Sequence, residues 1–410
     1  MTKLILHFKK TSLILLLLIV SHSSFAGWVQ KSDLPSFGRR WSATFAIGSK
    51  GYVACGSHAG QQVTQELWAW DQMTDTWTQM ANFPGLGREG AIGFAETGKG
   101  YVAMGWDGLG YNQSNYHNDM YEYDPVLNSW TQKASMPGIG RYVGMGFAIN
   151  GKIYAGMGLA AQYNYLDDWY EYDPINDTWV TKTSFHAGMD LAASFTAQLK
   201  GFIVCGRSGS TVNNEVWKYD PITDTWTQKA NFPGTPRSNS IGWSLGSTGL
   251  VGMGSDVAGL ILYDEFWLYN PYLDSWSSSA PFAGGLRKGG VGFSIGECAY
   301  MGNGQDSLQN EINDLWEYCA PTPVAENNVT GVSIFPNPLK KDGIIYLSGK
   351  VSDNSTYSIY NLTGEKIASG NVKGNKVMIP IGSAADELFI IDIIDPIHNF
   401  RLTEKFLLQD

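Results

Sequence analysis

Hydrophobic and polar residues alternate along this chain in short runs of about five, and turn residues cut the runs apart. Alternation with period two predicts strands, and the Gly, Asp and Pro between the runs predict tight turns. The same order of runs returns down the chain. Trp28, Trp77, Trp130, Trp179, Trp226 and Trp276 mark it, at spacings of 49, 53, 49, 47 and 50 residues. Each unit has a small-residue run behind an arginine, as in Arg88-Glu-Gly-Ala-Ile-Gly-Phe94, and then an apolar run ending in Gly. An aromatic run follows, closed by Asp-Pro, as in Trp169-Tyr-Glu-Tyr-Asp-Pro-Ile-Asn-Asp-Thr-Trp179, and Trp opens the last run. The four runs are read as strands a to d. A strand-rich period of about 40–50 residues predicts a β-propeller. Gly, Ala and Ser suit strand a, where the units crowd around an axis.

The phase of the series predicts how the ring closes. Trp28 has no unit before it, and the last unit stops at Leu315-Trp-Glu-Tyr-Cys319 without a final Trp. The expected fold is all-β: a six-bladed propeller over residues 27–319, in which the N-terminal strand completes the last blade. The repeat Trp residues should pack between neighbouring blades. Arg opening strand a, Gly ending strand b, Tyr-Asp ending strand c and Trp opening strand d together resemble the Kelch repeat of galactose-oxidase-type propellers. The Gly pair usual after strand b in that family is here a single Gly preceded by Cys55, Met104, Met157, Cys205, Met253 or Met301.

Two further segments flank the repeats. Residues 1–26 read as a secretory signal peptide: Lys3, Lys9 and Lys10, an apolar run from Leu13 to Val20, and Ser24-Phe25-Ala26 as the cleavage site. The mature chain then carries no transmembrane segment, and the protein is expected to be secreted or held at the outer cell surface. Residues 320–330 read as a linker with two Pro. Residues 331–410 alternate like a small β-sandwich. The order Ile334-Phe-Pro-Asn-Pro338, Ile359-Tyr-Asn-Leu-Thr-Gly364 and a terminal Lys with apolar residues resembles the C-terminal sorting domain of type IX secretion. That resemblance implies the type IX machinery as a partner.

Charge narrows the function. The chain carries −10, and loss of the signal's three lysines takes this to about −13, so nucleic acid is not an expected ligand. Cys298 and Cys319 fall on strands b and c of one unit and are the disulfide candidates. Cys55 and Cys205 fall on opposite sides of the ring and are expected as buried thiols. His58, His117 and His186 lie in loops on one face without metal-ligand spacing, so neither a metal nor a cofactor is expected. The copper site of galactose oxidase needs a Cys cross-linked to Tyr, and no Cys here is placed for it.

The b–c and d–a loops share one face, and their aromatic content makes it the candidate binding face for a glycan or a protein. Trp106, Tyr111 and Tyr116 come from the second unit, Tyr163 and Tyr165 from the third, and Tyr263 from the fifth. Arg39, Arg88, Arg141, Arg237 and Arg287 start on the same face, with Met189 in the matching place of the fourth unit. Guanidinium groups could ring the mouth and grip an acidic group. Alternatively each could pair with the acid that precedes strand c: Glu66, Asp119, Asp168, Glu215, Glu265 or Asp314. Binding without catalysis is the leading expectation. The alternative is a sugar-active enzyme that uses channel-mouth acids such as Glu89 and Asp190, since propellers of similar type include a sialic-acid mutarotase.

Overall fold

The computed structural model describes residues 27–319 and, beyond them, 334–335, 339–340, 344–348, 351–361, 366–378, 387–395 and 400–409. The expected signal peptide and linker lie outside the described residues. The fold is all-β. Six four-stranded antiparallel sheets occupy residues 29–319. The first holds Ala43–Ile47, Lys50–Ala54, Leu67–Asp71 and Thr76–Gln79, and the next four repeat this order. In the sixth, Val291–Ile295, Cys298–Gly302 and Leu315–Cys319 are joined by Val29–Lys31 at the outer edge. The pairing sets Val29 opposite Glu317 and Lys31 opposite Leu315. Strands a touch one another in sequence around an axis, and the sixth strand a touches the first. This is the arrangement of a β-propeller.

Crowding near the axis explains the small residues. A Cβ at Gly51 would fall 2.0 Å from the Phe293 ring, and one at Gly100 would fall 2.2 Å from Phe45. Each strand-a Phe thus lies on a Gly of the next sheet. At the outer edge a second device repeats. Asp75, Asn128, Asp177, Asp224 and Asp274 sit in the c–d turns at φ of 49–53°. Asp and Asn tolerate this left-handed region, and their side chains bond nearby backbone. Each Oδ1 accepts the backbone N–H of a residue leaving the preceding sheet: Ser32, Ala81, Ala134, Thr183 and Ala230 respectively. The carbonyl of that same residue accepts the indole N–H of Trp77, Trp130, Trp179, Trp226 or Trp276 at 2.8–3.0 Å. The repeat Trp is therefore a half-buried clip between sheets.

The C-terminal region forms a three-stranded sheet and a five-stranded sheet. Ile345 and Val377 from the first share one buried cluster with Ile359, Phe389, Ile391 and Phe406 from the second. No described helix is long and apolar enough to cross a membrane.

Candidate functional site

The repeating arginines do not reach the mouth. Arg39, Arg88, Arg141, Arg237 and Arg287 are at most 1% exposed. Each Nε donates to the carbonyl two residues back, as Arg141 does to Ile139 at 3.1 Å. A terminal nitrogen donates to the carbonyl of the residue that follows strand b: Cys55, Met104, Met157, Met253 or Asn303. The remaining donors pair with Glu66, Asp119, Asp168, Glu265 and Asp314. This favours the paired alternative over a ligand-gripping ring, because these guanidinium groups are consumed inside their own unit. In the fourth unit Met189 fills the place, and Glu215 instead accepts the Trp217 indole N–H and stands 3.5 Å from His186.

The residue after strand b is left-handed in five units, and in the fourth the equivalent Cys205 is left-handed within a longer strand, all at φ of 52–63°. In the sixth unit it is Asn303, followed by Gly304, not the expected Met301. The sequence Tyr300-Met-Gly-Asn-Gly304 offers two Gly in alternate places, and strand b runs through the first of them.

The mouth is built one residue later than the arginines. Arg40, Glu89, Tyr142, Asp190, Ser238 and Lys288 form bridges with Ser57, Trp106, Leu159, Arg207, Ser255 and Gln305. The next residues, Trp41, Gly90, Val143, Leu191, Asn239 and Gly289, all have φ between 48° and 64°. They link from sheet to sheet. The N–H groups of Trp41, Gly90, Val143, Leu191 and Asn239 donate to the carbonyls of Gly289, Trp41, Gly90, Val143 and Leu191. Trp41 also reaches across to Asn239, its indole N–H 3.2 Å from Oδ1. A hydrogen-bonded collar of backbone holds the mouth, so the side chains before it are fixed in direction.

Beside the collar lies a cavity of about 240 Å³, lined in part by Arg40, Trp41, Glu89, Trp106, Tyr111 and Tyr142, and by Arg207, Asn239 and Lys288. Below it the axial channel holds about 420 Å³ among the strand-a residues. Trp106 is buried, its indole N–H donates to Gly110 at 2.7 Å, and its ring stacks on exposed Tyr111 at 5.4 Å and 6°. Of the other aromatic candidates, Tyr116 is buried beneath, edge-on to Tyr142 at 5.6 Å. Tyr163 is exposed at the rim. Tyr165 faces Arg207, and Tyr263 covers Arg237 at 4.1 Å. So Trp106 and Tyr111 meet in the cavity wall, while the remaining four serve loops around it.

The charges at the mouth are unequal. Glu89 and Asp190 are buried, and burial raises both carboxyl pKa values. The Ser57 hydroxyl donates to Glu89, with Arg40 3.9 Å away. Asp190 is held by both Nε and a terminal nitrogen of Arg207, at 3.0 and 2.6 Å. Burial pushes the Tyr142 phenol up, and the nearby Asp190 and Glu89 charges add to this. Lys288 is pushed down by burial and then by the Arg40 charge. Cations thus converge on a mouth in an otherwise acidic protein. Arg40, Lys288 and Arg207 were not singled out from sequence, because the residues at their two places, on either side of the bridges ahead of the collar, change from unit to unit and leave no periodic trace.

The three loop histidines face different partners. His58 stacks on Phe37, His186 lies on Trp217, and His117 Nε2 stands 3.3 Å from Asp107. The only close set of three metal-type donors among the described residues is Cys298, Glu317 and Cys319, and there the two sulfurs are bonded to each other. Cys55 and Cys205 are buried thiols, both pushed up to about 12 by burial. Burial, followed by the Arg88 charge, holds His117 below its ordinary 6.5 despite Asp119 and Asp107. The folded state therefore binds this proton less readily than the unfolded chain. Its contribution to stability is complete above about pH 6.5 and is lost as pH falls towards the lowered value. His117→Gln should flatten that part of the stability–pH curve; an unchanged slope between pH 7 and 5 would show that another group carries it.

The comparisons agree with this geometry. The Kelch motif matches at residues 101–137 and 202–233, spans that run from strand b past strand d in the second and fourth units. A solved structure titled "Structure of YjhT" is similar at TM-score 0.62 and 16% identity, covering 72% of this chain and 98% of that one. No curated protein sequence matches. The chain carries Kelch motifs within a β-propeller fold.

Proposed function

We propose that this chain is an exported six-bladed propeller that binds a glycan or comparable small ligand in the mouth of its b–c/d–a face. The ligand would lay a flat apolar face on Tyr111 and Trp106 and turn an acidic group towards Arg40 and Lys288. The cavity carries the reading: it joins a stacked aromatic wall to converging cations over a rigid collar. Fixed aromatic faces suit sugar C–H groups, and few polar groups set orientation. Binding is favoured over turnover, because Glu89 and Asp190 are each engaged by their own partners. A glycan array of neutral and acidic sugars, probed with residues 27–410, tests it. Tyr111→Ala should weaken binding by about 1–2 kcal/mol without unfolding, since Tyr111 is 68% exposed. Unchanged binding in Tyr111→Ala and in Lys288→Met would remove the mouth as the site.

Six blades are supported by the six sheets, by the closed cycle of strand-a contacts, and by Val29–Lys31 at the edge of the sixth. A sandwich at residues 331–410 is supported by two sheets sharing one core. Export is supported by the signal-like residues 1–26 and by a disulfide, which persists in oxidising compartments. On the type IX resemblance, a chain ending at Ala325 should stay inside the outer membrane. Its release into the medium at normal levels would falsify the sorting role.

A further inference from the structure

We propose that the Cys298–Cys319 disulfide is a redox-controlled lock on the one sheet assembled from both ends of the propeller. The two sulfurs are joined across strands b and c, where Cys298 and Cys319 are direct partners in register. The equivalent places in the first four sheets hold Lys50 and Asp71, Lys99 and Asp124, Lys152 and Asp173, and Lys200 and Asp220. All four form ion pairs, at 3.2, 2.5, 2.6 and 2.7 Å. A covalent bond thus stands where four of the other five sheets use a partly exposed ion pair of small worth, and where the fifth has Thr248 and Asn270.

The substitution falls where the sheet has least else to hold it. In the first five sheets strands c and d are one hairpin. In the sixth, strand d is Val29–Lys31, which arrives from the other end of the propeller. The clip of turn Asp and indole is also absent there among the described residues. Trp28 occupies the place of the repeat Trp, yet its buried Nε1 has no hydrogen-bond partner among them. Tyr123, Tyr172, Tyr219 and Tyr269 donate to the turn Asn or Asp of their own sheets. Their counterpart Tyr318 instead bonds the Ser279 hydroxyl at 2.8 Å. An edge strand held by fewer bonds opens first.

The lock is also reachable. Cys298 and Cys319 are half-buried, whereas Cys55 and Cys205 are closed from solvent. Opening takes two electrons and two protons from a dithiol reductant, which leaves as its own disulfide, and yields two thiols. Closure returns the electrons to a thiol–disulfide oxidoreductase of an oxidising compartment. The seam is then loose while the chain is in a reducing compartment and locked after export.

Hydrogen exchange on residues 27–410 tests this in four states: oxidised, reduced with a phosphine, Cys298→Ser/Cys319→Ser, and Cys298→Lys/Cys319→Asp. The lock predicts that reduction speeds exchange at least tenfold in 28–31 and 315–319, while strands c and d of the second and third sheets keep their rates. The Lys/Asp pair, which serves the first four sheets, should resemble Ser/Ser and not the oxidised protein. Equal exchange before and after reduction overturns the proposal. So does full protection in the Lys/Asp variant, because any cross-strand pair would then suffice. Should either double variant fail to fold, phosphine reduction of the folded wild-type chain still decides the question.

Discussion

Arg141→Ala should cost about 3–5 kcal/mol of stability, the range for removing one partner of a buried ion pair. The side chain is fully buried and makes bonds to Ile139, Met157 and both oxygens of Asp168. Its loss strips the Met157 carbonyl of its donor and leaves the Asp168 carboxylate with the Tyr170 hydroxyl and partial solvent only. Arg141→Lys should recover little, since a single ammonium cannot reproduce the planar fork. Urea unfolding checks this directly. A loss below about 1 kcal/mol would mean that the bolt is ornamental and would reopen the ring of cations as a binding device. Ligand affinity of the folded protein should stay unchanged, which separates this residue from Lys288.

The fourth unit shows how a propeller unit lives without that bolt. Met189 is buried in the arginine's place, close to Gly206, and Glu215 turns to His186 and Trp217. An apolar group there is harmless because the acid has somewhere else to go. Arg141→Met combined with Asp168→Asn should therefore recover part of the loss, as replacement of both partners usually does.

Repetition decided what could be read from the sequence. The 47–53 residue period, the Asp-Pro turns and the matched Arg and acid recur in phase, so the sheets and the bolts were legible in the sequence. The mouth was not, because it is built from the positions where the units differ. Arg40, Glu89, Tyr142, Asp190, Ser238 and Lys288 occupy one structural place and mix cations, acids, a phenol and a hydroxyl. Only the left-handed collar behind them, at Trp41, Val143 and Gly289, turns Arg40, Tyr142 and Lys288 to a common centre. Trp106 was legible as a loop aromatic, but its bond to Gly110 makes it a wall supporting Tyr111 and not an exposed tip. The slip at Met301 has the same origin: two Gly at alternate places satisfy the pattern equally, and strand pairing chooses between them.

A chain lacking residues 27–34 should lose roughly 5 kcal/mol or more, the sum of a large buried aromatic and a buried Leu with their hydrogen bonds. The segment touches three sheets. Val29–Lys31 pair with the sixth. Trp28 packs on Phe266 of the fifth at 5.1 Å, on Phe282 in the connection that follows it at 4.9 Å, and on Tyr318 of the sixth at 5.3 Å. Ser32 supplies both bonds of the clip to Asp75 and Trp77 of the first. Leu34 is 1% exposed and exchanges backbone and side-chain bonds with Asn313. Total stabilities of about 5–15 kcal/mol leave little after such a loss, so the deletion should melt far below the parent or fail to fold. The open edge should then accept the missing strand in trans, since an extended peptide can add to an exposed sheet edge. A peptide of residues 27–35 should bind the truncated chain and raise its melting temperature, and should ignore the full one. Equal melting of truncated and full chains would end the view that this strand closes the ring.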